Sequence, residues 1–374
     1  DYWRCWKLHT QNGRQYCTFE LPEHLKTVVE KDEDWEKPEA QKFLEQMDQA
    51  YIFDKSINPN SADRVMRFNR AEETAQHSLR DKDTSASLIN QAKDTLYNGF
   101  SFYETLQEPD GNWAGDYGGP LFLIPGLVIA SYITETPFPA PWRVLMKRNL
   151  WNHQNEDGGW GLHIEGHSTM FGTVMQYVTL RILGEDLSNP LMQKAQQWIL
   201  EHGGATYIPQ WGKFYLSILN VYDWEGNDAL PPELWKLPKW APFHPGKYWC
   251  HNRMIFLPMS YCFGHKVKAK ETDLVLEMRK ELYPENYEEI NWKEARKRAC
   301  EIDIFHPVHK WYKRMCKITN GYEKIHSKSF RKSALKYVTD YIDHEDMHTR
   351  YINIWLVNLS INSICVWHHH GQDS

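Results

Sequence analysis

Two short segments of this chain spell the same pattern and begin 47 residues apart, at 107 and 154. Gln107-Glu108-Pro109-Asp110-Gly111-Asn112-Trp113 and Gln154-Asn155-Glu156-Asp157-Gly158-Gly159-Trp160 share Q-x-x-D-G-x-W. A period of this size is that of a two-helix unit, which cannot bury its apolar face alone and must stack on a neighbour. Helical sequence precedes each copy, a Gly-rich turn follows, and an apolar run comes next, 121–133 after Pro120 and 169–183 after Ser168. Pro120 suits a first helical position and Ser168 an N-cap. Gly126 and Gly172 lower the helix propensity of those runs but permit close backbone approach. Helical periodicity dominates from Ser85 onward and alternating strands are scarce. The expected class is all-α, with alternating inner and outer helices closing into an α/α barrel. Gln107, Gly111, Trp113, Gln154, Gly158 and Trp160 read as structural, since a Gln amide can satisfy a helix end and an indole can cover the joint.

A length of 374 residues with 41% hydrophobic content is enough to bury a sizeable core. The aromatic share, 14% with 17 Trp and 20 Tyr, exceeds what core filling needs. It points to carbohydrate recognition or to an aromatic-lined cavity, and both stand at this point. A net charge of −6 gives no electrostatic footprint for nucleic acid. Seven cysteines without a C-x-x-C pair argue against a disulfide framework and a zinc ribbon, and fit a reducing compartment. The longest apolar run, 121–133, contains Pro125 and falls short of the roughly 20 residues of a spanning helix. No basic-then-apolar leader is seen, and a first residue of Asp1 rather than Met leads us to expect a fragment.

Other patterns compete for attention. His344-Glu345-Asp346-Met347-His348 satisfies H-E-x-x-H, in which two helix-borne histidines bind zinc and the glutamate acts as base. No Glu follows Glu345, Tyr351 stands where the extended motif needs Gly, and Asp340, Asp343 and Asp346 suggest a solvated face. A zinc metalloprotease is therefore the remote alternative. His368-His369-His370 reads as a polar surface run, so no metal and no cofactor are expected. Asp110 and Asp157 could be nominated as the paired carboxylates of a glycosidase, but each sits in a turn and reads as turn chemistry.

The longer motifs carry a resemblance. The first repeat continuing into Ala114-Gly115-Asp116-Tyr117-Gly118-Gly119-Pro120 resembles the first QW repeat of 2,3-oxidosqualene cyclases, the terpene cyclase/mutase family of lanosterol and cycloartenol synthases. Asn152-His153 leading through the second repeat to Gly161-Leu162-His163-Ile164-Glu165-Gly166 is similar to the second. Gln210-Trp211-Gly212-Lys213, His244-Pro245-Gly246-Lys247-Tyr248-Trp249-Cys250-His251 and Leu257-Pro258-Met259-Ser260-Tyr261 follow in the family's order, as do Trp6-Lys7-Leu8 and Gly13-Arg14-Gln15 at the start. The resemblance implies an isomerase that protonates the epoxide of (S)-2,3-oxidosqualene and guides carbocations to a sterol or triterpene skeleton such as lanosterol or cycloartenol. It implies substrate-cavity positions at Tyr117, Trp211, Trp249 and His251, with Asn252 and Phe256 on the access-channel side.

The family's acid motif, Asp-Cys-Thr-Ala-Glu, does not occur in the sequence and would be expected beyond Ser374, so no catalytic residue is assigned and the chain alone is expected to be inactive. Its organisation is expected to be an N-terminal arm at 1–84, a barrel with QW-like repeats at 85–329, and the start of a second, catalytic barrel at 330–374. The implied partners are the lipid substrate, the missing C-terminal half and a membrane surface. The resemblance implies a monotopic, peripheral location on the cytosolic face of the endoplasmic reticulum or a lipid droplet. The stretch 254–263 could supply the membrane patch, although a core helix interrupted by Pro258 is the preferred reading. Two departures stand out: Asn252 replaces a common Cys, and Trp355-Leu356 replaces Gly-Pro, which is expected to alter a cavity-lining turn. A noncatalytic isoprenoid-binding protein or a degenerate cyclase fragment is the alternative.

Overall fold

The computed structural model describes residues 6–11, 14–19, 85–105 and 119–371, apart from Glu165 and Pro242. The chain divides into two compact units, Asp1–Pro120 with Pro139–Val144, and Leu121–Phe138 with Leu145–Ser374. In the first unit β1 (Trp6–Gln11) and β2 (Arg14–Phe19) pair antiparallel, with Trp6 opposite Phe19 and Gln11 opposite Arg14. The N-terminal arm therefore contains a hairpin, one of the scarce strand pairings in a largely helical chain. The signal was in the sequence, because the strands are separated by Asn12-Gly13, a preferred two-residue hairpin connection. This unit also holds α1 (Leu88–Thr105), which leaves Leu88, Ile89, Leu96 and Phe100 exposed.

The remaining helices are α2 (Leu123–Ile133), α3 (Ala140–Asn152), α4 (Met170–Ile182), α5 (Pro190–Glu201), α6 (Gln210–Ile218), α7 (Cys250–His265), α8 (Asp273–Glu281), α9 (Trp292–Ala295), α10 (Lys310–Glu323), α11 (Lys328–Thr349) and α12 (Leu356–His370). Two kinds stand out among them. In α4 every residue from Met170 to Arg181 is buried, and in α6 every residue from Gly212 to Ile218. A helix buried all round lies inside a larger assembly, whereas one with a single apolar stripe lies at its surface. Single stripes mark α5 through Met192, Ala195, Trp198 and Ile199, α8 through Val275 and Met278, and α11 through Ala334, Leu335, Val338 and Ile342. Helix α2 packs on α4 and α12, and α7 on α11 and α12. The all-α class with inner and outer helices is thus what the repeat led us to expect. Within 330–374, the segment expected to open a second barrel, α11 and α12 pack on each other and on α7.

The helix starts differ from expectation. Helix α2 begins at Leu123, so Pro120 precedes it, and Leu121 N–H donates to Leu162 O at 3.0 Å. Thr169, not Ser168, caps α4, its hydroxyl accepting from Gly172 N–H at 2.9 Å. Ser168 is held in the preceding turn, donating to Asp157 at 2.7 Å. The two helix glycines do permit close approach. A Cβ on Gly172 would lie 2.3 Å from Trp160 O, and one on Gly126 would lie 3.0 Å from the Tyr215 hydroxyl of α6 and 3.1 Å from Ser360 Oγ of α12.

Buried polar groups tie the layers together. The Asp303 carboxylate accepts from Met170 N–H (2.7 Å) and Phe171 N–H (2.8 Å), closing the donor end of α4 where the helix dipole favours a negative charge. Lys213, 1% exposed, donates to the carbonyls of Ala295, Arg296 and Arg298. Glu281 on α8 accepts from Arg181 Nε at 2.9 Å and from the Tyr177 hydroxyl at 2.7 Å, both on α4. Arg331 of α11 reaches Glu233 and Glu323, each at 2.6 Å.

Removing one partner of a buried pair strands the other, so Arg181→Leu is expected to lower unfolding free energy by about 3–5 kcal/mol. Urea unfolding measures it, and Arg181→Leu with Glu281→Leu should recover much of the loss. Gly172→Ala has no room for its methyl beside backbone oxygen, and its thermal midpoint should fall further than that of Gly321→Ala, whose added carbon meets nothing within 4 Å.

Candidate functional site

The chain between α6 and α7 runs through short 3₁₀ turns, the last at Pro245–Lys247, and delivers Trp249 as the N-cap of α7. Trp249 makes no side-chain cap bond and is 65% exposed, leaving an indole free to meet something other than its own helix. His251, one turn position on, is half-buried. Its ring lies 4.5 Å from that of Trp249, tilted 39°, and its Nδ1 is 3.3 Å from Cys250 Sγ. The other neighbour of His251 is Trp355, 5.2 Å away and edge-to-face at 87°. Trp355 is the N-cap of α12 and also meets Phe122, the N-cap of α2, at 6.2 Å and 77°. The starts of three helices therefore bring four rings into one group.

Trp249 and His251 are thus brought together. Tyr117 lies outside the described residues, as do Gln107, Gly111 and Trp113. Trp211 packs half-buried against the core on α6 and hydrogen-bonds the Tyr215 hydroxyl, whose pKa burial pushes up to about 12. Asn252 is exposed. Phe256 belongs to a second aromatic group, 6.2 Å from Trp235 and 5.9 Å from Tyr248. It stands five residues beyond His251, about 140° round the helix. Sequence reasoning missed Phe122 altogether and met Trp355 only as a departure from a familiar segment.

The second QW-like turn is held by its own residues. Gln154 donates to Gly158 O (2.8 Å) and Leu191 O (3.1 Å), the latter at the start of α5. Trp160 is fully buried and donates from Nε1 to Leu150 O at 2.7 Å. Gly158 has φ +94°, and a Cβ there would sit 2.7 Å from Lys194 Cγ. Asp157 accepts from Gly159 N–H, Ser168 and the Trp198 indole. Although burial raises its pKa, the hydrogen bonds from Ser168, Gly159 and Trp198 and the nearby His202 outweigh it and bring the carboxyl below its ordinary value.

The H-E-x-x-H segment is built into α11 in another sense. Glu345 accepts from Asn358 Nδ2 at 2.9 Å and Asn362 Nδ2 at 3.3 Å on α12, and Asp346 accepts from Asn362 at 3.0 Å. His344 Nδ1 turns to Asp340 O of its own helix. Among the described residues no three His, Cys, Asp or Glu side chains are placed to hold a metal ion. His368 meets the Tyr261 hydroxyl at 2.9 Å, and His370 meets Asp343 at 3.4 Å. The stretch 254–263 lies in α7, with Ile255, Leu257, Pro258, Tyr261, Cys262 and Phe263 buried, so it is a core helix. Among the described residues no helix is long and apolar enough to cross a membrane.

Burial raises the Glu345 carboxyl, with Asn362 opposing, the charge of Asp346 adding and Asn358 opposing. An unfolded glutamate titrates near ~4.3, so between that value and the raised one the native state holds the extra proton and stability falls as pH rises. Glu345→Gln removes this term. Its melting temperature relative to the unaltered chain should climb as pH rises from the unfolded value through the raised native one, read from paired thermal scans.

The family model of the squalene-hopene cyclase N-terminal domain matches residues 99–373. The chain is 46% identical over 288 residues to a cycloartenol synthase of Dictyostelium discoideum, covering 76% of this chain and 41% of that protein. It is 44% identical over 284 residues to the lanosterol synthase of Mus musculus, covering 76% and 39%. An alpha-onocerin synthase of Lycopodium clavatum is 40% identical over 323 residues, covering 82% and 42%. The chain thus spans about two fifths of the length of these relatives.

Proposed function

The chain belongs to the squalene-hopene cyclase N-terminal domain family, and from that premise we propose that it supplies aromatic walls to an oxidosqualene cyclase, an isomerase converting (S)-2,3-oxidosqualene to a sterol or triterpene skeleton. The observation that carries the proposal is the ring group of Trp249, His251, Trp355 and Phe122 at the starts of α7, α12 and α2. Opening a protonated epoxide leaves a carbon cation that a basic lone pair would quench. The face of an aromatic ring attracts the same charge without bonding to it, by about 2 kcal/mol when water is excluded. Trp249 presents such a face.

The acid that opens the epoxide is supplied by another part of the enzyme. No Asp-Cys-Thr-Ala-Glu stands in this sequence, the carboxyls of Asp157 and Asp303 are engaged in hydrogen bonds to a turn and a helix start, and those of Glu345 and Asp346 accept from the side-chain amides of Asn358 and Asn362. The partner is therefore a C-terminal half carrying that motif. Trp211 lines the same chamber, and Asn252 and Phe256 face its entry. Because the substrate is insoluble in water, the protein works bound to one leaflet, on the cytosolic side of the endoplasmic reticulum or a lipid droplet.

Incubated with 2,3-oxidosqualene, this chain alone should give no cyclic triterpene, and the chain joined to an acid-bearing half should give one, both read by gas chromatography. A lipophilic ammonium analogue of squalene should bind, and Trp249→Ala should weaken it by roughly tenfold or more, the loss of one desolvated cation–π contact. Equal affinity in the variant would remove Trp249 from the wall. Flotation with liposomes tests the membrane claim, and chain left at the bottom of the gradient would refute it.

A further inference from the structure

We propose that Trp355 is a positioning residue, which fixes the imidazole of His251 so that His251 and Trp249 present one set wall to the cation; this rests on the cyclase reading above. Trp355 is the link between His251 on α7 and Phe122 on α2, touching both rings edge-to-face. Edge-to-face contact is directional, and so restricts rotation of the imidazole in a way that general apolar packing does not.

The backbone beneath Trp355 is pinned by the cap of its own helix. Its N–H donates to Asn358 Oδ1 at 2.8 Å, and the fully buried Asn358 donates in turn to Glu345 Oε1 at 2.9 Å. Glu345 therefore anchors, from α11, the amide that sets the start of α12. The turn before Trp355 is strained as well. Arg350, Tyr351 and Asn353 have φ of 53°, 61° and 59°, left-handed conformations that cost non-glycine residues about 1 kcal/mol or more each and persist where the surroundings over-determine them. That turn leaves Trp355 extended, φ −159° and ψ 152°, and its ring goes to α7 and α2. The strained approach and the fixed amide together set where the Trp355 ring stands.

Two readouts test this. In NMR spectra of the whole chain, with the His251 ring assigned by comparison with His251→Gln, Trp355→Ala should move the His251 ring resonances more than those of any other histidine, and Trp355→Phe should move them less. Unmoved His251 resonances in Trp355→Ala overturn the proposal. In the full-length enzyme, Trp355→Ala should change the ratio of cyclic products, and Trp355→Phe should restore the ratio. Lost turnover with an unchanged ratio marks a role in stability alone and also overturns it. If the unaltered enzyme makes no cyclic product, the cyclase reading falls, and the histidine resonances decide the positioning by themselves.

Discussion

The second unit depends on one close crossing, that of the Trp160-Gly161 backbone over the first turn of α4. Trp160 N–H donates to Thr173 Oγ1 at 3.1 Å, and Trp160 O accepts from Thr169 N–H at 3.0 Å, so the crossing strand bonds directly to the helix start. A side chain at Gly172 would collide with two carbonyl oxygens, and one at Gly159 would lie 2.7 Å from Ser168 and Thr173. Only backbone can fill that space. With the crossing made, the Trp160 indole is carried beneath the end of α3, where Leu150 O receives its N–H and the ring lies 6.0 Å from Trp151.

From this crossing the position of α4 propagates outward through polar contacts rather than through apolar packing alone. Asp303 holds its N-terminus, and Arg181 and Tyr177 hold its far end to α8 through Glu281. Such buried charges add little net stability, since desolvation offsets most of their attraction, but they permit one arrangement and penalise others. Apolar stripes on α5, α8 and α11 could slide by a turn. A guanidinium that must meet its carboxylate cannot. The aromatic group at the starts of α2, α7 and α12 inherits its geometry from helices placed in this way.

Much of this was legible in the sequence because it is local. The Q-x-x-D-G-x-W repeat announces turns between paired helices, and the apolar runs at 121–133 and 169–183 contain helices within two residues of their expected starts and one of their expected ends. Where expectation slipped, a tertiary partner was responsible. Ser168 has the chemistry of a cap, but Asp157 claims its hydroxyl and the cap passes to Thr169. The apolar stretch 254–263 suits a lipid surface or a core equally well by composition, and packing against α11 and α12 makes it core.

By itself, the sequence determined the helical class, the repeat and the family, because these follow from periodicity and from long motifs that few other folds share. The tertiary structure decided which aromatic rings meet. Trp249 and His251 are near neighbours in the chain, yet Trp355 reaches His251 from over 100 positions away, and Phe122, as distant on the other side, joins through Trp355. The structure also decided what Glu345 does. Its five-residue context describes a zinc-site base equally well, but a carboxylate takes its role from the groups that face it, and these are two amides of α12.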